Sequence, residues 1–181
     1  MPGKALAGLL ALSLAACGGG GGGGGGGFVP PPAGNATISG AVTFDRPTYG
    51  SNTSLSFANL ERLPVRGATV EILRASDQSI LATTTTSATD GRYSATVAAG
   101  SVIVRVKAQV RRSGAGAYDF EVRNNTANDA LYALDSSAVN VSGNATVDLN
   151  AGTGFTVGTG YTGTRAAAPF AILDVLWRAR E

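Results

Sequence analysis

The sequence predicts an all-β protein, an antiparallel β-sandwich with an added hairpin and a C-terminal helix. Apolar and polar residues alternate along several segments between residues 37 and 149, as they do in half-buried strands. Only 14% of the residues are charged, and small and β-branched residues are plentiful, which favours strands over helices. About 145 residues follow the first 35, enough to bury a core without disulfides or metals.

Residues 1–16 are typical of a signal peptide. A short positive head, Met1 to Lys4, precedes an apolar run of 12 residues from Ala5 to Ala16. As a helix this run would be about 18 Å long, too short to cross a hydrocarbon core of roughly 30 Å. Its length and composition fit the apolar region of a cleaved secretory signal.

The only cysteine, Cys17, directly follows Leu14, Ala15 and Ala16. This stretch resembles the lipobox of bacterial lipoproteins. The resemblance implies cleavage after Ala16 and covalent lipid on Cys17, whose acyl chains would hold the protein on a bilayer. The next residue is Gly18 and not aspartate, which in that family favours the outer membrane of the cell envelope. An ordinary secretory signal with a coincidental cysteine is the alternative.

Residues 17–35 are predicted to form the lipidated start of the mature chain and a flexible tether. Ten glycines occupy positions 18–27, and three prolines occupy positions 30–32. Polyglycine has no side chains to bury and the highest backbone entropy, so we expect it not to fold. A coil of this length spans roughly 20 Å on average. The lipid on Cys17 is the only bound group expected, and no cofactor is predicted.

Alternation predicts the strands of the sandwich in order, at about residues 37–44, 64–73, 80–86, 93–97 and 101–110. The connection at 45–63 is predicted to be a long loop with at most a short strand near 54–57. Asp90 and Gly91 lie between two predicted strands, and because both residue types tolerate positive φ, the pair predicts a hairpin.

Several motifs in this region follow one another in a recognisable order: Gly40 and Val42, then Pro64–Val70, then Asp90–Tyr93, then Gly100 and the strand at 102–106. They resemble the carboxypeptidase regulatory-like domain, a transthyretin-like (prealbumin-like, Ig-like) β-sandwich. The resemblance covers about residues 37–110 and places the domain at 36–112. It implies backbone roles for the glycines and a packing role for Tyr93. The long connection at 45–63 and the absence of an aromatic residue after Gly100 depart from the pattern.

The second half of the chain is predicted to extend the sandwich. Residues 113–164 are interpreted as added strands and loops, with an added hairpin or a sheet extension at 138–149 and a loop at 151–164. Residues 165–181 predict an amphipathic helix, because apolar residues recur on one face at helical spacing. The residues on that face are Phe170, Leu173, Leu176 and Trp177.

Composition limits the chemistry that this chain can perform. The sequence contains no histidine, which excludes the zinc-protease helix motif and histidine-based triads from these residues. The stretches 128–134 and 165–174 are similar to parts of larger bacterial lipoproteins in which a β domain precedes a zinc-peptidase-like region. The resemblance implies, as one alternative, an accessory part of such a protein. We predict that the chain itself is not an enzyme and binds no metal.

These observations predict a membrane-anchored extracytoplasmic lipoprotein whose sandwich is a non-catalytic interaction or scaffold module. A carbohydrate-binding module is a further alternative. Its candidate binding aromatics are Tyr118, Tyr132 and Trp177. The expected partners are the lipid bilayer and a protein or glycan of the envelope. A formal charge of +2 is too small for a nucleic-acid surface. A basic cluster at 105–112 is interpreted as a solvated strand end.

Overall fold

A computed structural model of the chain describes residues 34–51 and 54–180, in which two β-sheets and one helix enclose a hydrophobic core. The elements are β1 (Asn35–Tyr49), β2 (Leu55–Pro64), β3 (Ala68–Arg74), β4 (Ile80–Thr85), β5 (Arg92–Ala98), β6 (Gly100–Arg112), β7 (Tyr118–Glu121), β8 (Arg123–Asn124), β9 (Ala130–Leu131), β10 (Ala133–Asp135), β11 (Val139–Val141), β12 (Ala145–Thr146), β13 (Leu149–Ala151), β14 (Phe155–Thr156), β15 (Gly160–Tyr161) and α1 (Ala167–Ala179). The predicted all-β fold with a C-terminal helix is confirmed. The transthyretin-like assignment stays a prediction.

The first sheet is built around the long strand β1. Its first half pairs with β5 on one side and with β12 on the other, and its second half pairs with β2 and β13. The exchange of partners occurs at Val42, whose N–H donates to the carbonyl of Gly91 at 2.9 Å. The carbonyl of Val42 accepts from the N–H of Val65, also at 2.9 Å. The pairings with β12 and β13 are parallel, whereas those with β2 and β5 are antiparallel.

The second sheet has the order β4–β3–β6, and the far side of β6 is covered by several short strands. β7, β10 and β11 pair antiparallel with successive parts of β6. The 13 residues of β6 therefore join segments that lie far apart along the chain. The predicted alternation in this strand is present, since Val102, Val104 and Val106 are buried while their neighbours are more exposed.

The core lies between the sheets and under the helix. In β1 the residues Ile38, Val42 and Phe44 are fully buried, which confirms the strand that alternation predicts at 37–44. Burying an aliphatic or aromatic side chain of this size stabilises the fold by about 1.5–3 kcal/mol. The helix α1 contacts β1, β6 and β7. It contributes Phe170, Leu173 and Trp177 to the same core. Among the described residues, no helix has the length and apolar character needed to cross a membrane.

Of the two alternatives predicted for 138–149, an added hairpin or a sheet extension, the hairpin is not formed. β11 pairs with β6 in the second sheet, whereas β12 pairs with β1 in the first. The chain therefore crosses from one sheet to the other at Ser142 and Gly143. Alternation shows that a strand buries one face, but it does not show which sheet the strand joins. The segment completes both sheets instead of adding a separate hairpin.

The turn at Asp90 and Gly91 is also not a hairpin, because β4 pairs with β3 and β5 pairs with β1. It connects the two sheets. Gly91 has φ +70°, and a Cβ at this position would lie 2.5 Å from the carbonyl oxygen of Val42. Glycine is therefore required both for the backbone conformation and for the close approach to β1.

The long connections contain more strand than predicted. β1 continues to Tyr49 and β2 begins at Leu55, so most of the predicted loop at 45–63 is a two-stranded extension. Ion pairs join the two strands, at 2.6 Å between Arg46 and Glu61 and at 3.3 Å between Arg62 and Asp45. The predicted loop at 151–164 likewise contains the small pair β14–β15.

Candidate functional site

An open groove of about 790 Å³ is lined by both sheets and by the helix. We call it the groove throughout. The first sheet contributes residues of β1, β5 and β12, and the second contributes the end of β4, the end of β6 and the start of β7. α1 contributes Trp177. Because strands of two packed sheets hold these residues, their positions are fixed by backbone pairing and by the core beneath.

Hydroxyl and guanidinium groups dominate the polar lining of the groove. The arginines are Arg92, Arg111 and Arg112, and none of the described lining residues is an aspartate or a glutamate. Side-chain hydroxyls come from both sheets, and among them are Ser39, Thr85, Ser87, Ser94 and Thr146. Hydroxyls can both donate and accept hydrogen bonds, whereas guanidinium groups only donate. The lining is therefore suited to a ligand that is rich in oxygen acceptors.

The three arginines differ in how far their charge is compensated. The guanidinium of Arg111 lies 2.7 Å from the carboxylate of Asp119, and this hydrogen bond and charge raise the pKa of Arg111. Arg92 lies 3.3 Å from Asp90, and 74% of its side chain is exposed. Arg112 is exposed and has no ion pair among the described residues. A positive charge is therefore left over at the end of β6.

Two aromatic residues of the groove are covered by an arginine. The Cζ atom of Arg180 lies 3.7 Å from the ring centroid of Trp177 and 4.9 Å from that of Tyr118. Both are cation–π contacts. Tyr118 also stacks on Phe120, with 5.1 Å between the ring centroids. Trp177 is only 5% exposed and belongs to the core. These rings therefore serve the packing of α1 more than they offer a flat platform for a ligand.

The predicted binding aromatics are thus only partly brought together. Tyr118 and Trp177 line the groove, but Tyr132 lies elsewhere, between β9 and β10. Its carbonyl accepts from the N–H of Ala108, and its own N–H donates to the carbonyl of Val122. Its side chain is 38% exposed. Cys17 and the preceding residues Leu14, Ala15 and Ala16 lie outside the described residues.

Tyr93 supports the groove from within, in line with the packing role that the resemblance implied. Its hydroxyl donates to the carbonyl of Val147 at 2.6 Å, and its side chain crosses Gly40 of β1. A Cβ on Gly40 would lie 2.0 Å from that carbonyl oxygen, so only glycine leaves room for the contact. Burial raises the pKa of Tyr93, and the nearby charge of Asp148 raises it further.

This pKa shift predicts a loss of stability at alkaline pH. The neutral form of Tyr93 is favoured in the folded protein, so its contribution is complete below the unfolded pKa of about 10 and is lost as the pH rises above that value. We expect the free energy of unfolding in urea to fall between about pH 9 and pH 11 by more in the wild type than in Tyr93→Phe. Equal falls in the two proteins would contradict the prediction. At neutral pH the variant should lose about 1 kcal/mol, the value of one hydrogen bond.

The basic cluster predicted from the sequence divides into paired and unpaired residues. Three of its four basic residues form ion pairs across the second sheet. The fourth, Arg112, has no ion pair among the described residues. The pairs are Arg105 with Asp135, Lys107 with Glu71, and Arg111 with Asp119. The sequence did not predict that Arg92 and the hydroxyl residues line the groove. No local pattern in the sequence shows that these residues lie together.

A second, smaller cavity of about 170 Å³ lies between the extension of β1 and β2 and the helix. The ring of Phe57 stacks on that of Phe155 at 4.2 Å between centroids, and Tyr161 meets both rings edge-on. The guanidinium of Arg165 lies 4.2 Å from the centroid of Tyr161. The cluster holds the β14–β15 segment against β2, which gives it a packing role.

Comparison with known proteins adds little to this description. No known protein family matches the sequence, and no curated protein matches it significantly. Among solved structures, the chain is similar to the crystal structure of a Pseudomonas aeruginosa protein that has been proposed to bind carbohydrate. The likeness has a TM-score of 0.37 and 11% identity, and it covers 67% of this chain and 92% of that one. At this TM-score the likeness supports no conclusion about the present chain.

Proposed function

We propose that this chain is a lipid-anchored, non-catalytic binding module of the bacterial cell envelope that holds a glycan in the groove. The observation that carries the proposal is the lining of this open space of about 790 Å³ by hydroxyl and guanidinium groups from both sheets. Sugars present many hydroxyl oxygens, each of which can donate and accept, and serine, threonine and arginine side chains are complementary to them.

The packing beneath the groove supports a binding role. Thr86 is 3% exposed, and its hydroxyl accepts from the backbone N–H of Ala68 at 2.9 Å, which ties the turn after β4 to β3. The hydroxyl of Tyr93 donates to the carbonyl of Val147, which ties β5 to the segment after β12. A groove whose walls are fixed before the ligand arrives loses little conformational entropy on binding.

The sequence supports the anchor. The stretch from Leu14 to Cys17 resembles a lipobox, and a glycine- and proline-rich tether at 18–34 separates it from the described module. A lipid on Cys17 would keep the module near the envelope, and a flexible coil of the length of 18–34 would span roughly 20 Å on average. Tethering raises the effective concentration of the module near envelope glycans.

One experiment with three variants tests the anchor and the groove separately. The full-length protein is expressed in a bacterium that processes lipoproteins, labelled with a palmitate analogue and fractionated. Its detergent-solubilised form is then tested for binding to immobilised envelope polysaccharide. We expect Cys17→Ser to lose both the label and the membrane fraction. Ser94→Trp should stay labelled but bind polysaccharide at least about tenfold more weakly, because the indole fills the groove.

Thr96→Trp is the matched control for the groove. Thr96 is also an exposed residue of β5, two positions along the same strand, but it does not line the groove. We expect this variant to be labelled and to bind like the wild type. Unlabelled, soluble wild-type protein would contradict the anchor. Undiminished binding by Ser94→Trp would contradict the assignment of the groove.

A further inference from the structure

We infer that the glycan held in the groove is acidic, a polysaccharide that carries carboxylate groups. The inference rests on the proposed function and names the ligand class of the same site. The groove has three arginines and no described carboxylate in its lining, although the whole sequence carries a formal charge of only +2. The lining of the groove is therefore more basic in composition than the chain as a whole.

Nearby acids reduce this charge without removing it. Asp90 faces Arg92, and Asp119 faces Arg111, which also lies 3.8 Å from Glu121. Arg112 has no acidic partner among the described residues. Exposed ion pairs such as that of Arg92 are weak, so a ligand carboxylate can compete with Asp90 for the guanidinium. Arg112 is available without such competition.

The chemistry of the lining favours a carboxylate over a neutral sugar. A guanidinium matches the two oxygens of a carboxylate with two parallel hydrogen bonds, which gives both affinity and orientation. Neutral sugars are often held by stacking on aromatic rings, but Arg180 already covers those of Trp177 and Tyr118. The groove is therefore better equipped for charge-assisted hydrogen bonds than for stacking.

The hydroxyls favour an acidic glycan over an acidic peptide. Hydroxyl side chains from both sheets, among them Ser39, Thr85 and Ser94, line the groove together with the arginines. A uronic acid unit offers a carboxylate beside several ring hydroxyls, so it can satisfy both kinds of group at once. A polyglutamate chain offers carboxylates but has no hydroxyls in its side chains to pair with the serines and threonines.

Three polymers separate these possibilities, with the full-length protein in detergent and binding measured by interferometry. Polygalacturonate carries the carboxylates, its methyl ester has the same sugar rings without the charge, and poly-L-glutamate has the charge without the sugar. We expect the wild type to bind polygalacturonate at least about tenfold more tightly than either of the others. The affinity should fall as salt is raised, because exposed charges are screened.

Substitution of the arginines tests which side chains bind the carboxylates of the polymer. The double variant Arg92→Gln with Arg112→Gln should lose about 100-fold in affinity for polygalacturonate, or roughly tenfold for each charge-assisted contact. The matched control is Arg62→Gln with Arg74→Gln. It removes the same charge from exposed arginines that face aspartates outside the groove, and it should change the affinity less than about twofold.

Each other outcome overturns a specific claim. Equal binding of the methyl ester, equal binding of polyglutamate, or binding of none of the three polymers overturns the acidic-glycan class. In each of these cases the proposed function still stands if Ser94→Trp abolishes binding to envelope polysaccharide. If Ser94→Trp binds polygalacturonate like the wild type, the groove is not the site and both proposals fail. If both double variants lose the same affinity for polygalacturonate, the loss comes from the net charge of the protein and not from the groove, and the inference is overturned.

Discussion

Gly67→Ala is expected to lower the free energy of unfolding by about 3 kcal/mol and to displace the C-terminal helix. Gly67 has φ +63°, and a residue with a Cβ pays about 1–2 kcal/mol in that conformation. The new Cβ would also lie 2.2 Å from Cζ3 of Trp177, and such overpacking costs roughly 1–3 kcal/mol more. The indole cannot retreat freely because it is 5% exposed and belongs to the core.

The chain provides its own probe and control for this prediction. Trp177 is the only tryptophan, so its fluorescence reports directly on the contact. We expect a red shift of the emission in Gly67→Ala as the ring moves toward water. Gly114→Ala is the control, because Gly114 also has a positive φ, +87°, but nothing lies within 4 Å of its Cβ position. It should cost only about 1–2 kcal/mol and leave the emission unchanged. Equal losses in the two variants would show that the contact with Trp177 adds nothing.

The sequence predicted which segments bury a face, but not which sheet each of them joins. One face of β1 meets the core and carries Ile38, Val42 and Phe44. Such alternation is a local property of the sequence and can be predicted from it. The partners of β1 are not local, since β12 and β13 lie about 107 residues further along the chain. The same limit explains the error at 90–91, and it explains why the sequence left a hairpin and a sheet extension open at 138–149. A turn signal shows that the chain reverses, and both turns reverse it between sheets instead of within one.

The groove could be predicted even less well, because it depends on those pairings. The sequence predicts a structural role for the motif from Asp90 to Tyr93. Gly91 packs closely against Val42, and Tyr93 donates a hydrogen bond to Val147. Arg92 lies between them and, because side chains alternate along a strand, it is exposed and lines the groove. Only the structure places it with Arg112, which is 20 residues away in the sequence.

Asp174→Ala is expected to lower the free energy of unfolding by about 2–3 kcal/mol, because an ion pair with Arg66 joins α1 to the connection between β2 and β3. The carboxylate of Asp174 is 5% exposed, and it accepts from Arg66 at 2.9 Å and from Arg178 at 2.7 Å. Breaking a buried pair is costly because the remaining charge stays desolvated. Arg66 is 24% exposed, which places the expected value below that of a fully buried pair. Arg178 is 46% exposed and can turn to water.

A double-mutant cycle isolates the pair from the loss of either side chain. Arg66→Ala, Asp174→Ala and the double variant are unfolded in urea, and we expect a coupling energy above about 1 kcal/mol. The same cycle on Arg46 and Glu61, whose side chains are 42% and 49% exposed, should give less than that, as surface pairs do. If the two cycles agree, the buried carboxylate does not fasten the helix. Packing of Phe170, Leu173 and Trp177 alone must then hold α1 against the sandwich, which is the contact that Gly67→Ala disturbs independently.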